Sequence, residues 1–338
     1  MMGNDYFSIK FENDQLIFLD QTKLPLDEVY VTTESYERIA EAIEKLEIRG
    51  APLIGIAAAY ALALSIKKIS PNSTEENFNL AFDRLHRTRP TAVNLFHALN
   101  VAKNIFESYK TNDNIYQIVL NKAKEVHQDD IDKCNKIGSN GLAIFKKKST
   151  ILTHCNTGKL ATGGDGTAFS IIKKGFENGL VEFVYADETR PLLQGLRLTT
   201  FELERSGIPF AVQSDSMAAA LMQQSKIDFV ITGADRIALN GDSANKIGTY
   251  NLAVLCNYHS IPFYIAAPTT TIDTNIASGA EIEIEFRNKN ELLTIQDIRV
   301  APDHYKAFSP AFDVTPSHLI TGIITEEKIY YFPYNFIK

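Results

Sequence analysis

The sequence predicts an α/β protein in which a small β-hairpin and a helical domain (residues 1–145) precede a parallel α/β domain (residues 146–338). Residues 6–19 alternate apolar and polar side chains around Glu12-Asn13-Asp14, a pattern typical of a hairpin. After Lys148 the chain changes to short apolar runs that alternate with helical segments. This alternation indicates a parallel sheet joined by right-handed crossovers.

In the first part, apolar residues at helical spacing follow the hairpin. Ile39, Ile43 and Leu46 recur at i, i+4 and i+7, and Pro52 suits the first turn of an Ala-rich buried helix. The helices predicted here cover residues 35–46, 51–66, 73–87, 91–108 and 113–147, the last with an interruption near 138–141.

In the second part, the short apolar runs predict strands and the segments between them predict helices. The predicted strands are 151–154, 181–186, 210–213, 229–232, 262–266 and 320–324, with an extended segment at 312–316. The predicted helices lie near 167–178, 191–206, 215–225 and 247–259.

Composition excludes several classes of protein. A chain of 338 residues with 45% hydrophobic residues can fill two cores, whereas a net charge of -7 argues against a nucleic-acid or membrane-surface binder. The longest apolar run, residues 51–66, is shorter than the roughly 18 residues of a membrane span. Three scattered cysteines without a CxxC pair favour neither disulfides nor a zinc cluster. Because the N-terminus also lacks the pattern of a signal peptide, we expect a cytoplasmic protein.

The stretch from Ile151 to Ala168 is the first candidate site. A short apolar strand ends at Cys155, and a loop with four glycines leads into a helix, a setting that suits an anion. The glycine spacing matches neither GxGxxG nor a phosphate-binding P-loop. Cys155 is either a small core residue or a thiol whose thiolate is favoured by the helix N-terminus.

Asp235 in Thr232-Gly-Ala-Asp-Arg236 follows another predicted strand. It is either a turn or cap residue or an acid whose pKa is raised by apolar surroundings. Because parallel strands end at the same edge of a sheet, we expect Asp235 on the same side as Cys155.

Three cations lie in predicted turns: Arg49 before Gly50-Ala51-Pro52, Arg89 before Pro90, and Lys246 after Asn245. Each is either a solvated surface charge or a ligand for a phosphate group. Gln194 is predicted to lie near the same rim, one turn inside the helix that follows Asp187 to Pro191.

Together these residues resemble the methylthioribose-1-phosphate isomerase family, within the group that includes the alpha, beta and delta regulatory subunits of the eukaryotic initiation-factor exchange complex. The resemblance covers nearly the whole chain. It rests on Ile48-Arg-Gly-Ala-Pro-Leu-Ile-Gly55, Arg89-Pro-Thr-Ala-Val-Asn94, His154-Cys-Asn-Thr-Gly158, Glu188-Thr-Arg-Pro191 with Gln194-Gly195, Thr232-Gly-Ala-Asp-Arg236, Asn245-Lys-Ile-Gly-Thr249 and Pro310-Ala-Phe-Asp-Val-Thr-Pro316.

The resemblance implies a Rossmann-like C-terminal domain, a homodimer, and an aldose–ketose isomerase of a sugar phosphate that uses neither a metal nor a redox cofactor. It makes Cys155 and Asp235 the catalytic pair. The residues that would bind the sugar phosphate are Arg49, Gly50, Ala51, Arg89, Gln194, Asn245 and Lys246.

Three departures from the family pattern bear on the substrate: Thr157, Lys159 and Ser309. They leave open whether the sugar is 5-methylthioribose 1-phosphate, 5-deoxyribose 1-phosphate or ribose 1,5-bisphosphate, since Lys159 could pair with a second phosphate. A non-catalytic regulatory subunit like the initiation-factor relatives is the alternative of another class. Retention of both Cys155 and Asp235 argues against it.

Overall fold

The computed structural model of the chain describes residues 6–67, 73–89, 93–296 and 298–336. It divides into two compact units. The N-terminal unit comprises Asp5–Lys133 and Lys159–Gly166, and the C-terminal unit comprises Cys134–Gly158 and Thr167–Lys338. The division after Lys133 lies earlier in the chain than the predicted domain boundary at residue 145. In addition, the loop that follows Cys155 returns to the N-terminal unit.

The N-terminal unit has a small antiparallel sheet and a helical core. The predicted hairpin pairs Ile9 with Phe18, and a third strand that the sequence did not predict extends the sheet. The second helix is buried on all sides, as its uniformly apolar sequence predicts. The elements are β1 (Ile9–Glu12), β2 (Gln15–Leu19), β3 (Tyr30–Thr33), α1 (Tyr36–Glu44), α2 (Ala51–Ser65), α3 (Thr74–His86), α4 (Val93–Tyr109) and α5 (Ile115–Gly141).

Helix α5 runs through Gly138 without a break and ends at Gly141, before a 3₁₀ turn at Leu142–Ile144. The helix predicted beyond the glycines, to residue 147, is therefore wrong. Both glycines lie at a packing contact. Ser170 lies directly against Gly138, and Ile171 lies directly against Gly141, so that a side chain at either position would collide with its neighbour. These glycines therefore permit close helix packing, which outweighs their low helix propensity.

The C-terminal unit is built on a seven-stranded sheet in the order β16-β15-β10-β7-β4-β5-β6. All strands are parallel except β16, which pairs antiparallel with β15. The predicted α/β class and parallel sheet are thus confirmed. Its strands are β4 (Ser149–Thr153), β5 (Val181–Asp187), β6 (Phe210–Gln213), β7 (Phe229–Thr232), β10 (Phe263–Ala266), β15 (Gly322–Ile324) and β16 (Ile329–Tyr331).

A second, smaller sheet in the order β11-β8-β9-β14 was not predicted as a sheet. It carries Asn245 and Lys246 on β9, so the prediction that Lys246 lies in a turn is wrong. Its strands are β8 (Arg236–Ala238), β9 (Ser243–Lys246), β11 (Ile272–Asp273) and β14 (Phe312–Thr315); β12 (Thr294–Ile295) and β13 (Ile298–Arg299) pair separately.

The helices of the C-terminal unit follow the predicted segments with shorter bounds. The predicted helix over 191–206 is a π-helical turn, Gly195–Thr199, that continues into α7. No helix of the described residues is long and apolar enough to cross a membrane. The helices are α6 (Ala168–Glu177), α7 (Thr200–Arg205), α8 (Ala218–Gln223), α9 (Thr249–His259) and α10 (Asn290–Leu293).

Candidate active site

Cys155 and Asp235 follow two neighbouring parallel strands, β4 and β7, at the same edge of the sheet. The strands are also tied by a hydrogen bond of 2.9 Å that Thr153 Oγ1 donates to the Ile231 carbonyl. Beyond the strands, the side chain of Thr157 packs directly against Gly233, two residues before Asp235. The loops that carry the thiol and the carboxyl group are therefore in contact, as the parallel topology predicted.

The two groups differ in exposure. Cys155 is 8% exposed and makes no disulfide, whereas Asp235 is half-buried. The backbone N–H of Asp235 donates to the carbonyl of Ala244 on β9 at 2.9 Å. This bond fixes the loop of the carboxyl group to the small sheet that carries Asn245 and Lys246.

The backbone of Cys155 adopts a left-handed conformation, with φ of 63°. Both of its polar backbone groups are held by threonine hydroxyl groups. The N–H donates to Thr189 Oγ1 at 2.8 Å, and the carbonyl accepts from Thr199 Oγ1 at 2.6 Å. Non-glycine residues rarely adopt this conformation, and those that do cluster at functional sites.

His154 forms a buried pair with Asp187 on the other face of β4. Its Nδ1 lies 2.9 Å from Asp187 Oδ2, and its Nε2 lies 2.9 Å from the Ile247 carbonyl oxygen. Because a carbonyl oxygen only accepts, Nε2 carries a proton, and a further proton lies between Nδ1 and the carboxyl group. Burial disfavours the protonated form of His154 and acts to lower its pKa. The hydrogen bond and negative charge of Asp187 outweigh the effect of burial, so the pKa of His154 is raised.

Both ring nitrogens of His154 are thus engaged in hydrogen bonds, so neither is placed to act as a base for Cys155. Asp215 lies close enough to complete a cluster of metal-ligating residue types with His154 and Asp187. Its carboxylate, however, accepts the N–H groups of Thr189 and Arg190, each at 2.7 Å. A metal ion would also need a ring nitrogen of His154, and both of these are engaged in hydrogen bonds, so the cluster is better described as a hydrogen-bonded network.

A buried carboxyl group lies behind the cysteine loop. Glu202 on α7 is completely buried and accepts a hydrogen bond from the side-chain amide of Asn156. Sequence reasoning missed Glu202 and Thr199. The signal that could have found them is that Thr199, Thr200 and Glu202 lie among the apolar residues Leu198, Phe201 and Leu203.

Gln194 immediately precedes the π-helical turn and is 6% exposed. Its side-chain carbonyl oxygen is buried and has no hydrogen-bond partner among the residues that the structure describes. A buried acceptor without a partner costs roughly 1–3 kcal/mol, which a donor such as a sugar hydroxyl group would offset.

Asn245 and Lys246 are held by contacts to the start of α9 and to the segment around β14. Asn245 Nδ2 donates to Thr249 Oγ1 at 2.9 Å. Lys246 Nζ donates to the Ala311 carbonyl at 2.9 Å and lies 4.7 Å from the ring centroid of Phe312. The neighbouring Asp313 accepts the N–H groups of Gly248 and Tyr250, which begin α9. The Pro310–Pro316 motif thus serves to position the 245–249 segment.

The remaining predicted residues belong to the N-terminal unit. Arg49 precedes α2, Gly50 is its N-cap with φ of 97°, and Ala51 is its first residue. Ala161 packs directly against Gly50, so the glycine-rich loop lies beside this helix start. Arg89 is described, but Pro90, Thr91 and Ala92 of its motif lie outside the described residues, as does the helix start predicted at Thr91.

The segment Lys159–Gly166 is anchored firmly to the N-terminal unit. Gln21 Nε2 donates to the Leu160 carbonyl at 2.7 Å, and Ser8 Oγ donates to the Thr162 carbonyl at 3.1 Å. The N–H of Gly163 donates to Asp130 at 2.6 Å. These bonds account for the assignment of this loop to the N-terminal unit.

Comparison with known proteins identifies the family. Residues 47–329 match the model of the initiation factor 2 subunit family. A methylthioribose-1-phosphate isomerase of Caldicellulosiruptor saccharolyticus is 50% identical to the chain over 328 residues, which are 96% of each sequence. The chain belongs to the methylthioribose-1-phosphate isomerase family within this larger group. Members of the isomerase family are aldose–ketose isomerases, so the chain belongs to a family of enzymes.

Two solved structures are similar over nearly the whole chain. The 5-methylthioribose 1-phosphate isomerase of Pyrococcus horikoshii OT3 is 39% identical, with a TM-score of 0.93 over 98% of this chain and 94% of that one. The translation initiation factor eIF-2B subunit delta of A. fulgidus is 37% identical, with a TM-score of 0.88 over 98% of this chain and 97% of that one. Membership of the isomerase family agrees with the resemblance that the motifs indicated.

Proposed function

We propose that the protein converts 5-methylthio-α-D-ribose 1-phosphate into 5-methylthio-D-ribulose 1-phosphate, with Asp235 as proton donor and Cys155 as its partner. The observation that supports this assignment is the placement of the thiol and the carboxyl group on contacting loops at the ends of β4 and β7. The names of the relatives supply the substrate.

The chemistry of the substrate requires such a pair. A phosphate group on the anomeric oxygen prevents spontaneous opening of the sugar ring. Asp235 would protonate the ring oxygen as its bond to C1 breaks, and hydrogen would move from C2 to C1 while the C2 hydroxyl group loses its proton. Cys155 would accept that proton or stabilise the developing charge. Each positioned acid or base contributes about 10² to 10⁴ in rate.

The transfer of hydrogen can follow two routes, a hydride shift or an enol-type intermediate. Turnover in D₂O distinguishes them, because an enol takes its new C1 hydrogen from solvent. Mass spectrometry of the product would show deuterium at C1 for the enol route and none for the shift.

We further propose that Gln194, Asn245 and Lys246 contact the sugar phosphate, and that Arg49, Gly50, Ala51 and Arg89 do so as the family resemblance implies. The buried carbonyl oxygen of Gln194 suits a sugar hydroxyl group. The arginines and the lysine provide charge-assisted bonds for the phosphate group.

The test is a set of purified variants. Asp235→Asn and Cys155→Ser should each lower kcat about 10²-fold or more while the substrate still binds. Asp303→Asn, an exposed acid, and Cys256→Ser, a buried cysteine on α9, are the matched controls and should retain activity. Near-normal kcat in both Asp235→Asn and Cys155→Ser would remove the pair from catalysis.

The substituent at C5 is the finer part of the proposal. Lys159, the candidate partner for a second phosphate, already lies 3.6 Å from Asp165 and 5.3 Å from the ring centroid of Tyr6. This arrangement favours an uncharged C5 group. Parallel assays should give a higher kcat/KM for 5-methylthioribose 1-phosphate than for 5-deoxyribose 1-phosphate or ribose 1,5-bisphosphate, and the reverse order would change the assignment.

A regulatory role remains the second candidate because the eIF-2B subunit delta of A. fulgidus is so similar in structure. A non-catalytic subunit does not need both Cys155 and Asp235 on contacting loops, which supports the isomerase. Failure to turn over any of the three sugar phosphates, with a stable partner protein co-purifying, would favour the regulatory role.

We also propose a homodimer located in the cytoplasm. Helix α9 exposes Tyr250, Val254 and Tyr258 at i, i+4 and i+8, an apolar stripe that a second copy could cover. Light scattering after size-exclusion chromatography should give twice the mass of the 37.7 kDa chain. A monomer at micromolar concentration would contradict the dimer.

A further inference from the structure

Cys155 has a strained backbone and is hydrogen-bonded to a second strained residue, Thr189. Cys155 and Thr189 both have φ of 63°, in the left-handed region, and a hydrogen bond joins the N–H of Cys155 to the hydroxyl group of Thr189. A left-handed conformation costs roughly 1–2 kcal/mol for a non-glycine residue. It is especially unfavourable for a β-branched residue such as threonine. Such a strained conformation persists only where several surrounding contacts hold the backbone in it.

Thr189 is itself braced on both sides. Its N–H donates to Asp215 Oδ1 at 2.7 Å, and the following N–H, that of Arg190, donates to Asp215 Oδ2 at 2.7 Å. Its hydroxyl group donates to the Asp187 carbonyl at 3.1 Å and accepts from Cys155. The donor and an acceptor position of this hydroxyl group are therefore both used, so its orientation is fixed.

Thr199 holds the other side of Cys155. Its hydroxyl group donates to the Cys155 carbonyl at 2.6 Å and accepts from Asn156 Nδ2 at 3.4 Å. It is 2% exposed, so water does not compete for these bonds. Cys155 is thus clamped at its N–H and at its carbonyl by two threonines that come from different segments.

We propose that Thr189 and Thr199 are positioning residues that hold Cys155 in its left-handed conformation and so aim its thiol group at the substrate. This inference rests on the proposed role of Cys155 and extends it to the residues that orient it. Neither hydroxyl group can donate to the substrate, because Thr189 donates its proton to the Asp187 carbonyl and Thr199 donates its proton to the Cys155 carbonyl. A displacement of the thiol by about 1 Å can cost as much as 10²-fold in rate.

The chain offers a matched pair of substitutions. Thr199→Val removes the hydroxyl group but keeps the shape of the side chain. Thr199→Ser keeps the hydroxyl group and removes only the methyl group. Thr200→Val is the control, since Thr200 is the adjacent buried threonine and its hydroxyl group donates to the Leu196 carbonyl instead. Thr189→Ser and Thr189→Val repeat the test on the N–H side.

Steady-state kinetics with 5-methylthioribose 1-phosphate should show that Thr199→Val lowers kcat by about 10–100-fold. Its KM should change less than threefold, because substrate-binding groups are untouched. Thr199→Ser should recover to within threefold of the unmodified protein, and Thr200→Val should stay within twofold. Equal losses in Thr199→Val and Thr200→Val, or no loss in Thr199→Val, would overturn the proposal.

A second measurement does not depend on the isomerase activity. The rate at which iodoacetamide alkylates Cys155 is followed by peptide mass spectrometry, with the buried Cys134 and Cys256 as internal references. Thr199→Val should change the Cys155 rate at least threefold, while Thr200→Val should not. If the protein without substitutions turned over no sugar phosphate, the proposed function would fail. An unchanged alkylation rate of Cys155 in Thr199→Val would separately refute the positioning role.

Discussion

Gly195 is the position at which a single methyl group should disturb the candidate site most directly. A Cβ added there would overlap the carbonyl oxygen of Asp187 and would lie 2.9 Å from Thr189 Oγ1. Both atoms belong to the hydrogen bonds beside Cys155, because Thr189 Oγ1 donates to the Asp187 carbonyl and accepts from the N–H of Cys155. Because the first is a backbone atom of β5, it cannot rotate away, and the π-helical turn would have to shift.

The size of the effect follows from two opposing contributions. Overpacking of a buried site costs typically 1–3 kcal/mol, and a clash with a strand backbone lies at the upper end of that range. Replacing glycine by alanine inside a helix stabilises it by about 1 kcal/mol. Gly195→Ala should therefore lower the free energy of unfolding by about 2 kcal/mol, or roughly 3 °C in Tm for a chain of this length.

Differential scanning calorimetry and steady-state kinetics test this estimate together. The control is Gly322→Ala on β15, where an added Cβ would meet its neighbours at an ordinary 3.4 Å. It should leave kcat unchanged, whereas Gly195→Ala should lower kcat in the folded protein. A Tm within 1 °C of that of the unsubstituted protein would mean a change of roughly 0.5 kcal/mol or less in the free energy of unfolding. That result would refute the packing argument.

Two further predictions concern His127, which is partly buried, and His154, which is buried. His127 accepts a hydrogen bond of 3.1 Å from Tyr60, and burial lowers its pKa. A histidine with a lowered folded pKa loses stability as pH falls below its unfolded value of about 6.5, so His127→Gln should reduce the loss of stability between pH 7.5 and pH 5.5 in urea unfolding. An unchanged pH dependence would contradict this. For His154, the hydrogen bond and charge of Asp187 raise the pKa against the effect of burial, so an NMR titration should give a lower His154 pKa in Asp187→Asn. An equal or higher pKa in that variant would contradict the role of Asp187.

The candidate catalytic pair could be predicted from local patterns. Each strand was predicted from a run of four or five apolar residues, and in a parallel sheet the carboxyl ends of the strands lie at the same edge. This is why Cys155 and Asp235 were expected on the same side of the sheet, and the structure places their loops in contact. The same reasoning could not place Asn245 and Lys246, because the small sheet that holds them is formed by short strands from distant segments.

The contacts that orient Cys155 were beyond sequence reasoning for a definite reason. Thr189 and Thr199 lie 34 and 44 residues from Cys155, and Glu202 lies 46 residues from Asn156. Nothing in their local sequence specifies a partner at that distance. The continuity of α5 through Gly138 was beyond local reasoning for the same reason, because its packing partner, Ser170, lies on a later helix.

The sequence by itself determined the α/β class, the order of the hairpin, helices and parallel strands, and the thiol and carboxyl group at two strand ends. These features depend on the periodicity of apolar residues and on turn residues, which act over a few positions. Only the tertiary structure decided which polar groups pair beneath the site. Hydrogen-bond partners in a buried region are selected by which strands lie side by side, and burial makes each unsatisfied group costly enough to fix that choice.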